Sequence, residues 1–247
     1  MTRKICRYSP RERTLERLAP TPRGEYRQIF LVNAEQVVLV FSCAQPEPSL
    51  RMLDRFLVIA EKQQIPPLIV ANKIDLVGSS KAKKIFSIYS SIGYPVIYTS
   101  ALTGRGTAKL RKRLKGMLSA LAGPSGAGKS SLLRAIQPEL DIAIREVSKA
   151  TSKGRHTTKV REMFPLDVGG YVVDMPGLRI LSLWDTEPEE LDGYFPELVP
   201  LIEHCQFNDC THRSEPGCAV IDAVSEGKVH EDRYESYLRL RFREEEY

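Results

Sequence analysis

The alternation of apolar and polar residues changes character twice along the chain. Between residues 34 and 183, short runs of β-branched and aromatic residues predict strands at 37–41, 68–70, 96–98, 117–122 and 170–174. Stretches with helical spacing lie between them, at 50–63, 81–92, 110–114 and from residue 129 onward. Because strands that alternate with helices pair in parallel through crossover connections, this region is predicted to be a doubly wound, mostly parallel α/β sheet.

The segments on either side of this region differ from it. Residues 1–33 contain three prolines and no clear periodicity, and eight Lys/Arg against three acidic residues lie in residues 1–31. They are predicted to form a basic N-terminal arm. Residues 184–247 lack strand runs and contain prolines, acidic residues and clustered cysteines and histidines, which predicts a small second domain.

A glycine-rich segment follows the predicted strand at 117–122 and precedes a helix. Its residues are expected to bind phosphate, and they are Gly123, Pro124, Ser125, Gly126, Ala127, Gly128, Lys129, Ser130 and Ser131. Glycines let backbone N–H groups turn toward phosphate oxygens, and the following helix directs its positive end at the anion. We expect Lys129 to reach the β- and γ-phosphates and the Ser130 hydroxyl to bind Mg²⁺.

The base of the nucleotide is indicated by two motifs at the ends of neighbouring strands. Asn72, Lys73 and Asp75 form an N-K-x-D motif after the strand at 68–70, and Ser100-Ala101 follows the strand at 96–98. The Asp75 carboxylate can accept two hydrogen bonds from guanine, whereas adenine has no matching donor pair and would leave it unpaired. Lys73 can lie across the base, Asn72 can brace the loops, and a backbone N–H of Ser100-Ala101 can meet the guanine O6. The motifs therefore predict binding of GTP and GDP.

Candidate switch and metal residues surround the last predicted strand. Asp174 and Gly177 fit D-x-x-G, in which the aspartate holds Mg²⁺ through water and the glycine amide senses the γ-phosphate. Thr157 or Thr158 is expected to complete the Mg²⁺ shell. Leu178 follows Gly177, where Ras-like proteins carry the glutamine that orients the attacking water, so intrinsic hydrolysis is expected to be slow. We hypothesise that His156 orients the water instead; contact with solvent or RNA is the alternative for this histidine.

The order of these motifs differs from that of ordinary GTPases. The base-selecting residues 72–101 precede the phosphate loop at 123–130, whereas ordinary GTPases present the phosphate loop first. In a doubly wound sheet, the ligand loops emerge from one edge, so their placement in space matters more than their order in the chain. The chain is therefore predicted to be a circularly permuted GTPase.

A cysteine–histidine cluster lies in the second domain. Cys205, Cys210, His212 and Cys218 offer three thiolates and one imidazole, a complete shell for one structural zinc ion. Few apolar residues surround them, so a metal would supply folding energy that packing cannot. His204 and His230 are expected to be surface residues.

In this order, the motifs resemble those of the RsgA/YjeQ family of small-subunit ribosome biogenesis GTPases. The resemblance covers about residues 34–240. It implies a permuted GTPase domain at 34–183 and a helical zinc-binding domain at 184–247. It also implies a role in late maturation of the small ribosomal subunit, with the subunit and its rRNA as partners and GTPase activity that the subunit stimulates. The family normally begins with an OB-fold, which is expected to be missing or truncated in the arm at 1–33. Because OB-folds bind RNA, ribosome affinity is the implied property that this departure affects most.

Net charge and the absence of long apolar segments limit the possible partners and location of the protein. The formal net charge is +5, with basic clusters at 1–31 and 145–161 that fit either nucleic acid or a solvated face. No signal peptide or apolar segment long enough to span a bilayer is visible, so we expect a cytoplasmic monomer without a membrane partner. The alternatives are an ATP-using kinase or ATPase, a zinc module that binds RNA and only switches, and a permuted GTPase that acts on another RNA with little intrinsic hydrolysis.

Overall fold

The computed structural model describes residues 10–21, 24–140, 162–175 and 186–244. The strands in this part of the chain are β1 (Thr14–Thr21), β2 (Gly24–Val32), β3 (Gln36–Ser42), β4 (Pro67–Asn72), β5 (Val96–Tyr98), β6 (Leu118–Ala122), β7 (Glu162–Pro165) and β8 (Tyr171–Asp174). The helices are α1 (Leu50–Lys62), α2 (Ser79–Ser91), α3 (Thr107–Leu114), α4 (Lys129–Ile136), α5 (Val199–Ile202), α6 (Ala219–Ser225) and α7 (Glu231–Arg241). Two 3-10 helices lie at Ile74–Leu76 and Pro188–Tyr194.

Six strands form one sheet in the order β5-β4-β3-β6-β8-β7. All neighbouring pairs are parallel except β7 and β8, so the predicted mostly parallel sheet is confirmed. Strand β7 was not predicted. It has four residues and ends in Pro165, and a proline is tolerated there because β7 lies at the edge of the sheet.

The centre of the sheet is buried on both faces, as expected for parallel strands covered by helices. Every residue of β3 is buried. One apolar cluster joins this sheet to α1 and α2, and a second cluster joins its other face to α3 and α4. The two pairs of helices therefore cover opposite faces of the sheet.

Strand order brings distant segments of the chain together. Strand β6 leads into the phosphate loop and lies between β3 and β8. Strand β4 leads into the N-K-x-D motif and pairs with β3 on the side of β3 away from β6. Since these four strands are parallel, their carboxyl ends meet at one edge of the sheet. Chain order does not have to follow this spatial order.

The N-terminal arm contains a hairpin that the sequence periodicity did not predict. Strands β1 and β2 pair antiparallel, with Thr14 opposite Val32 and a register shift between Leu15 and Glu16. Leu15 and Leu31 are buried in the same apolar cluster as α1 and α2. The described part of the arm is therefore attached to the main domain through its core.

The C-terminal segment packs against helix α1 of the sheet domain. Its apolar cluster includes Val58 of α1 together with Phe195, Leu198 and Tyr237. Contacts also join α1 to α7 and to the 3-10 helix at Pro188–Tyr194. Among the described residues, no helix combines the length and the apolar character that crossing a bilayer requires.

Candidate functional site

The phosphate loop connects the end of β6 to the first turn of α4. Its glycines at 123, 126 and 128 all have positive φ, at 140°, 80° and 90°. A Cβ on Gly123 would lie 2.0 Å from the Val40 carbonyl oxygen, and one on Gly128 would lie 2.4 Å from Asn72 Nδ2. Both contacts are impossible, so backbone approach as well as φ requires glycine at these two positions.

The Lys129 side chain curls back over the loop that precedes it. Its Nζ donates hydrogen bonds to the carbonyl oxygens of Gly123 at 2.9 Å and Pro124 at 3.0 Å. Ser130 and Ser131 lie beside it in the first turn of α4, and Ala127 within the loop is fully buried. An ammonium group at the mouth of a loop of backbone N–H groups is a fitting receptor for a nucleotide phosphate.

Asn72 links the N-K-x-D motif to both neighbouring loops. Its Nδ2 donates to the Ala127 carbonyl at 2.9 Å, which fixes it to the phosphate loop. Its Oδ1 accepts from the Thr99 hydroxyl at 3.1 Å and from the Ala101 N–H at 3.3 Å, which fixes it to the loop after β5. Because Asn72 is only 1% exposed, this one amide joins three segments that lie far apart in sequence.

The two polar residues that follow Asn72 in the motif, Lys73 and Asp75, are more exposed than Asn72. Lys73 adopts the left-handed conformation at φ 62° and donates from Nζ to the Gln45 carbonyl. Asp75, in the 3-10 helix, is exposed. Burial raises the pKa of the neighbouring Cys43 to about 11, and the charge of Asp75 adds to that rise. The Asp75 carboxylate is therefore open to a ligand.

The loop after β5 is held by its own hydrogen bonds. Ser100 is fully buried; its N–H donates to the Arg105 carbonyl at 2.9 Å, and its Oγ accepts from the Thr103 N–H at 3.1 Å. These bonds fix the backbone around Ala101 beside Asn72. The two base-selecting motifs predicted from sequence thus lie together.

The switch residues are described only in part. Asp174 ends β8 opposite Leu121 of β6, so it lies at the same sheet edge as the phosphate loop. His156, Thr157, Thr158, Gly177 and Leu178 lie outside the described residues.

Cys205, Cys210, His212 and Cys218 form a second site, and all four ligand atoms lie within 4.8 Å of one another. His212 Nδ1 is 3.5 Å from Cys205 Sγ and 3.4 Å from Cys218 Sγ, and the two sulfurs are 3.9 Å apart. Tetrahedral zinc with bonds of about 2.3 Å to sulfur and about 2.0 Å to nitrogen sets ligand separations of roughly 3.5 to 3.8 Å. The donor set and its spacing fit zinc.

Asp192 is a functional candidate that the sequence analysis missed. Its Oδ2 lies 3.2 Å from Nε2 of His212, on the opposite side of the ring from the sulfurs. Burial by itself would raise the pKa of Asp192, but hydrogen bonds from His212 and the Gly193 N–H outweigh it and lower that pKa. A carboxylate that holds the second nitrogen of a metal-binding histidine orients the ring. No local motif could have identified Asp192, because it lies twenty residues before His212.

The loop between β3 and α1 also escaped prediction. Its Gln45 carbonyl accepts from Lys73, and the Ser42 hydroxyl donates to the Pro46 carbonyl at 2.6 Å. A Cβ on Gly126 would lie 3.3 Å from Pro46 Cδ, so this loop also contacts the phosphate loop. It carries no recognisable motif.

Comparisons with known proteins agree with this geometry. A family model described as RsgA GTPase matches residues 8–184. The small ribosomal subunit biogenesis GTPase RsgA of Gemmatimonas aurantiaca is 48% identical over 221 residues, which are 89% of this chain and 72% of that protein. Its counterpart from Thermotoga maritima is 45% identical over 213 residues, covering 85% of this chain and 71% of that protein.

Two solved structures are similar over most of the chain. The crystal structure of YjeQ from Thermotoga maritima has a TM-score of 0.73 at 39% identity, covering 92% of this chain and 81% of that one. YloQ, described as a circularly permuted GTPase, has a TM-score of 0.72 at 33% identity, covering 95% and 72%.

Proposed function

This chain belongs to the RsgA GTPase family and is a circularly permuted GTP hydrolase, and from that premise we propose that it acts in maturation of the small ribosomal subunit. The relatives named above carry this role in their names. The structural observation that best supports a permuted GTP site is the set of hydrogen bonds made by Asn72. They join the base-selecting loops to a phosphate loop that follows them in the chain.

Guanine recognition is assigned to Asp75, with help from its neighbours. The exposed Asp75 carboxylate accepts from N1–H and the exocyclic amine of guanine, and the stem of Lys73 covers the face of the base. The backbone at Ser100 and Ala101 donates to O6. Selectivity arises because adenine would leave the carboxylate without its two donors.

Phosphate and Mg²⁺ binding are assigned to the loop between β6 and α4 and to the end of β8. Lys129 leaves the carbonyl oxygens of Gly123 and Pro124 to contact the β- and γ-phosphates. Ser130 would bind Mg²⁺ through its hydroxyl and Asp174 through water, and the bound ion would offset negative charge that develops on the transferred phosphate. The amide of Gly177 would sense the γ-phosphate, and Thr157 or Thr158 would complete the metal shell.

The attacking water requires a polar group that Leu178 cannot supply. We assign this role to His156, which binding to the ribosomal subunit would bring into position. Single-turnover hydrolysis by His156→Ala, with and without small subunits, tests this assignment. Loss of the stimulated rate is expected, and an unchanged stimulated rate would remove the histidine from the mechanism.

One structural zinc ion at the Cys205, Cys210, His212 and Cys218 cluster completes the assignment. Metal analysis should give one zinc per chain. We place the protein in the cytoplasm and expect it to be a monomer. Light scattering tests the oligomeric state.

The ribosomal role is tested by adding purified small subunits to the protein. GTP hydrolysis should accelerate, and the protein should co-sediment with the subunits when a nonhydrolysable GTP analogue is present. Failure of both at low salt contradicts the role. Co-sedimentation without faster hydrolysis would instead favour a switch with little intrinsic turnover, for which Leu178 is the specific indication.

A further inference from the structure

Acidic and basic residues are unevenly distributed along this chain. No Asp or Glu occurs between Asp75 and Glu139, and the same stretch contains eleven Lys and Arg residues. Residues 186–244 have the opposite composition, with fourteen acidic residues against six Lys and Arg. A molecule with a net charge of only +5 therefore contains one strongly basic and one strongly acidic part.

The fold places helix α3, which carries most of the basic residues at 105–115, on the face of the sheet opposite the acidic segment. The acidic C-terminal segment packs on α1 through α7 and the 3-10 helix at Pro188–Tyr194. Helix α3 lies on the other face, where Leu110 and Leu114 pack into the cluster that includes α4. The C-terminal acidic residues therefore do not neutralise the surface of α3.

The exposed side of α3 is basic. Leu110 and Leu114 are buried, whereas Lys109, Lys112 and Arg113 are exposed, with Lys112 opposite the two leucines and the other two flanking it. Arg105 and Lys115 are exposed at the two ends of the helix. We refer to these five residues as the basic α3 face.

The charges of this face are available to a partner. None of the five forms a salt bridge with another residue that the structure describes. The adjacent Arg111 is the exception on this helix, because it pairs with Asp167. Helix α4 beside it carries Lys129 and Arg134 and no acidic residue. Five neighbouring cations that have no salt-bridge partner among the described residues repel one another, and a polyanion relieves that repulsion.

We propose that the basic α3 face docks on the phosphate backbone of ribosomal RNA in the small subunit. The proposal rests on the ribosomal function above and assigns the contact to a particular surface. Lysine and arginine side chains that neutralise phosphates release counterions, which drives binding with little dependence on sequence. A lipid bilayer is a poorer match, because α3 buries its apolar residues in the protein and has no apolar side left to insert.

A pair of charge-reversal variants provides the test. The first is Lys109→Glu/Lys112→Glu/Arg113→Glu on α3. The matched control is Lys81→Glu/Lys83→Glu/Lys84→Glu on α2, where the three lysines are also exposed but lie on the opposite face of the sheet. The change in net charge is the same in both variants, so only the position of the charges differs.

Binding of each variant to purified small subunits is measured across a range of salt concentrations. Loss of three phosphate contacts predicts that affinity at about 0.1 M salt falls by roughly 10²- to 10³-fold for the α3 variant. The slope of log affinity against log salt should become shallower by about 2 to 3. The α2 variant should bind within about threefold of the wild-type protein, and intrinsic GTP hydrolysis should be unchanged in both.

Each other outcome has a definite meaning. Equal losses in the two variants would overturn the assignment to α3 and indicate attraction by overall charge. If the wild-type protein and the α3 variant bound subunits equally well, this inference alone would be contradicted. If the wild-type protein did not bind subunits at all, the ribosomal function itself would be contradicted. If the α3 variant still bound subunits but no longer bound phosphatidylserine vesicles that the wild-type protein binds, the partner of this face would be a membrane and not RNA.

A milder variant covers the case in which charge reversal prevents folding. Lys109→Gln/Lys112→Gln/Arg113→Gln keeps long polar side chains on the exposed side of α3 and leaves Leu110 and Leu114 in place. It should show the same change in salt slope, and a wild-type slope would overturn the proposal.

Discussion

Arg233 links the C-terminal segment to helix α1 of the sheet region, and its removal is the most demanding test of this contact. The side chain is 1% exposed and bonds to carboxylates from two different elements. Its Nη1 lies 2.6 Å from Asp54 of α1, and its Nε lies 2.6 Å from Glu197. Burial alone would lower the pKa of Arg233, but these carboxylates outweigh it and hold that pKa above its ordinary value.

The loss expected from Arg233→Met follows from what the arginine leaves behind. Asp54 would keep only the Tyr89 hydroxyl at 2.8 Å and the Ser236 hydroxyl at 2.5 Å, neither of which carries charge. Removing one partner of a buried ion pair strands the other charge, at about 3 to 5 kcal/mol. In a chain of this size, roughly 2 to 4 °C of Tm accompanies each kcal/mol, so Tm should fall by about 6 to 20 °C.

The assay is thermal and denaturant unfolding of Arg233→Met beside a control from the same helix. Arg239→Met removes an arginine whose side chain is 35% exposed and whose partner, Glu235, is one turn away. An exposed pair contributes at most about 1 kcal/mol, so this control should unfold near the wild-type temperature. If Arg233→Met unfolded within about 1 kcal/mol of Arg239→Met, the reasoning about the buried network would be wrong.

Three further predictions concern the nucleotide and zinc sites. Asp192→Asn removes the charged partner of the zinc-site histidine and should lower zinc affinity by about 10- to 100-fold, measured by competition with a chromogenic chelator. Gly128→Ala places a Cβ against Asn72 and should weaken GDP binding by about tenfold or more, whereas Gly104→Ala, with similarly positive φ but open space, should not. Cys43 is 1% exposed and burial raises the pKa of its thiol, so at neutral pH alkylation followed by peptide mass spectrometry should label it far more slowly in the folded protein than in the unfolded chain, and equal rates would contradict its burial.

Local patterns were sufficient to predict the elements that build the nucleotide site. The buried apolar run of β4 and the helical spacing of α1 and α2 can each be recognised within a short stretch of sequence. The observed bounds of these elements agree with the predicted bounds to within a few residues. The glycine at 128 could be predicted from its motif, although the reason it must be glycine could not, because the obstructing atom belongs to Asn72.

The elements that escaped prediction depend on contacts between distant residues. Hairpin β1–β2 lacks clean alternation, and its stability comes from burial of Leu15 and Leu31 against the sheet domain. Arg233 looks like one more charged residue on a polar helix, since its partners lie 36 and 179 positions away. Asp192 is similarly separated from the histidine it holds.

The central claim is that loops in permuted order converge on one pocket in which Asp75 selects guanine. Calorimetric titration of the wild-type protein and Asp75→Asn with GDP and with ADP tests it most directly. Two hydrogen bonds to a charged acceptor predict a wild-type preference for GDP of at least about 10²-fold, and the substitution should remove most of it. Equal binding of ADP and GDP by the wild-type protein, or a preference that survives in Asp75→Asn, would contradict the account.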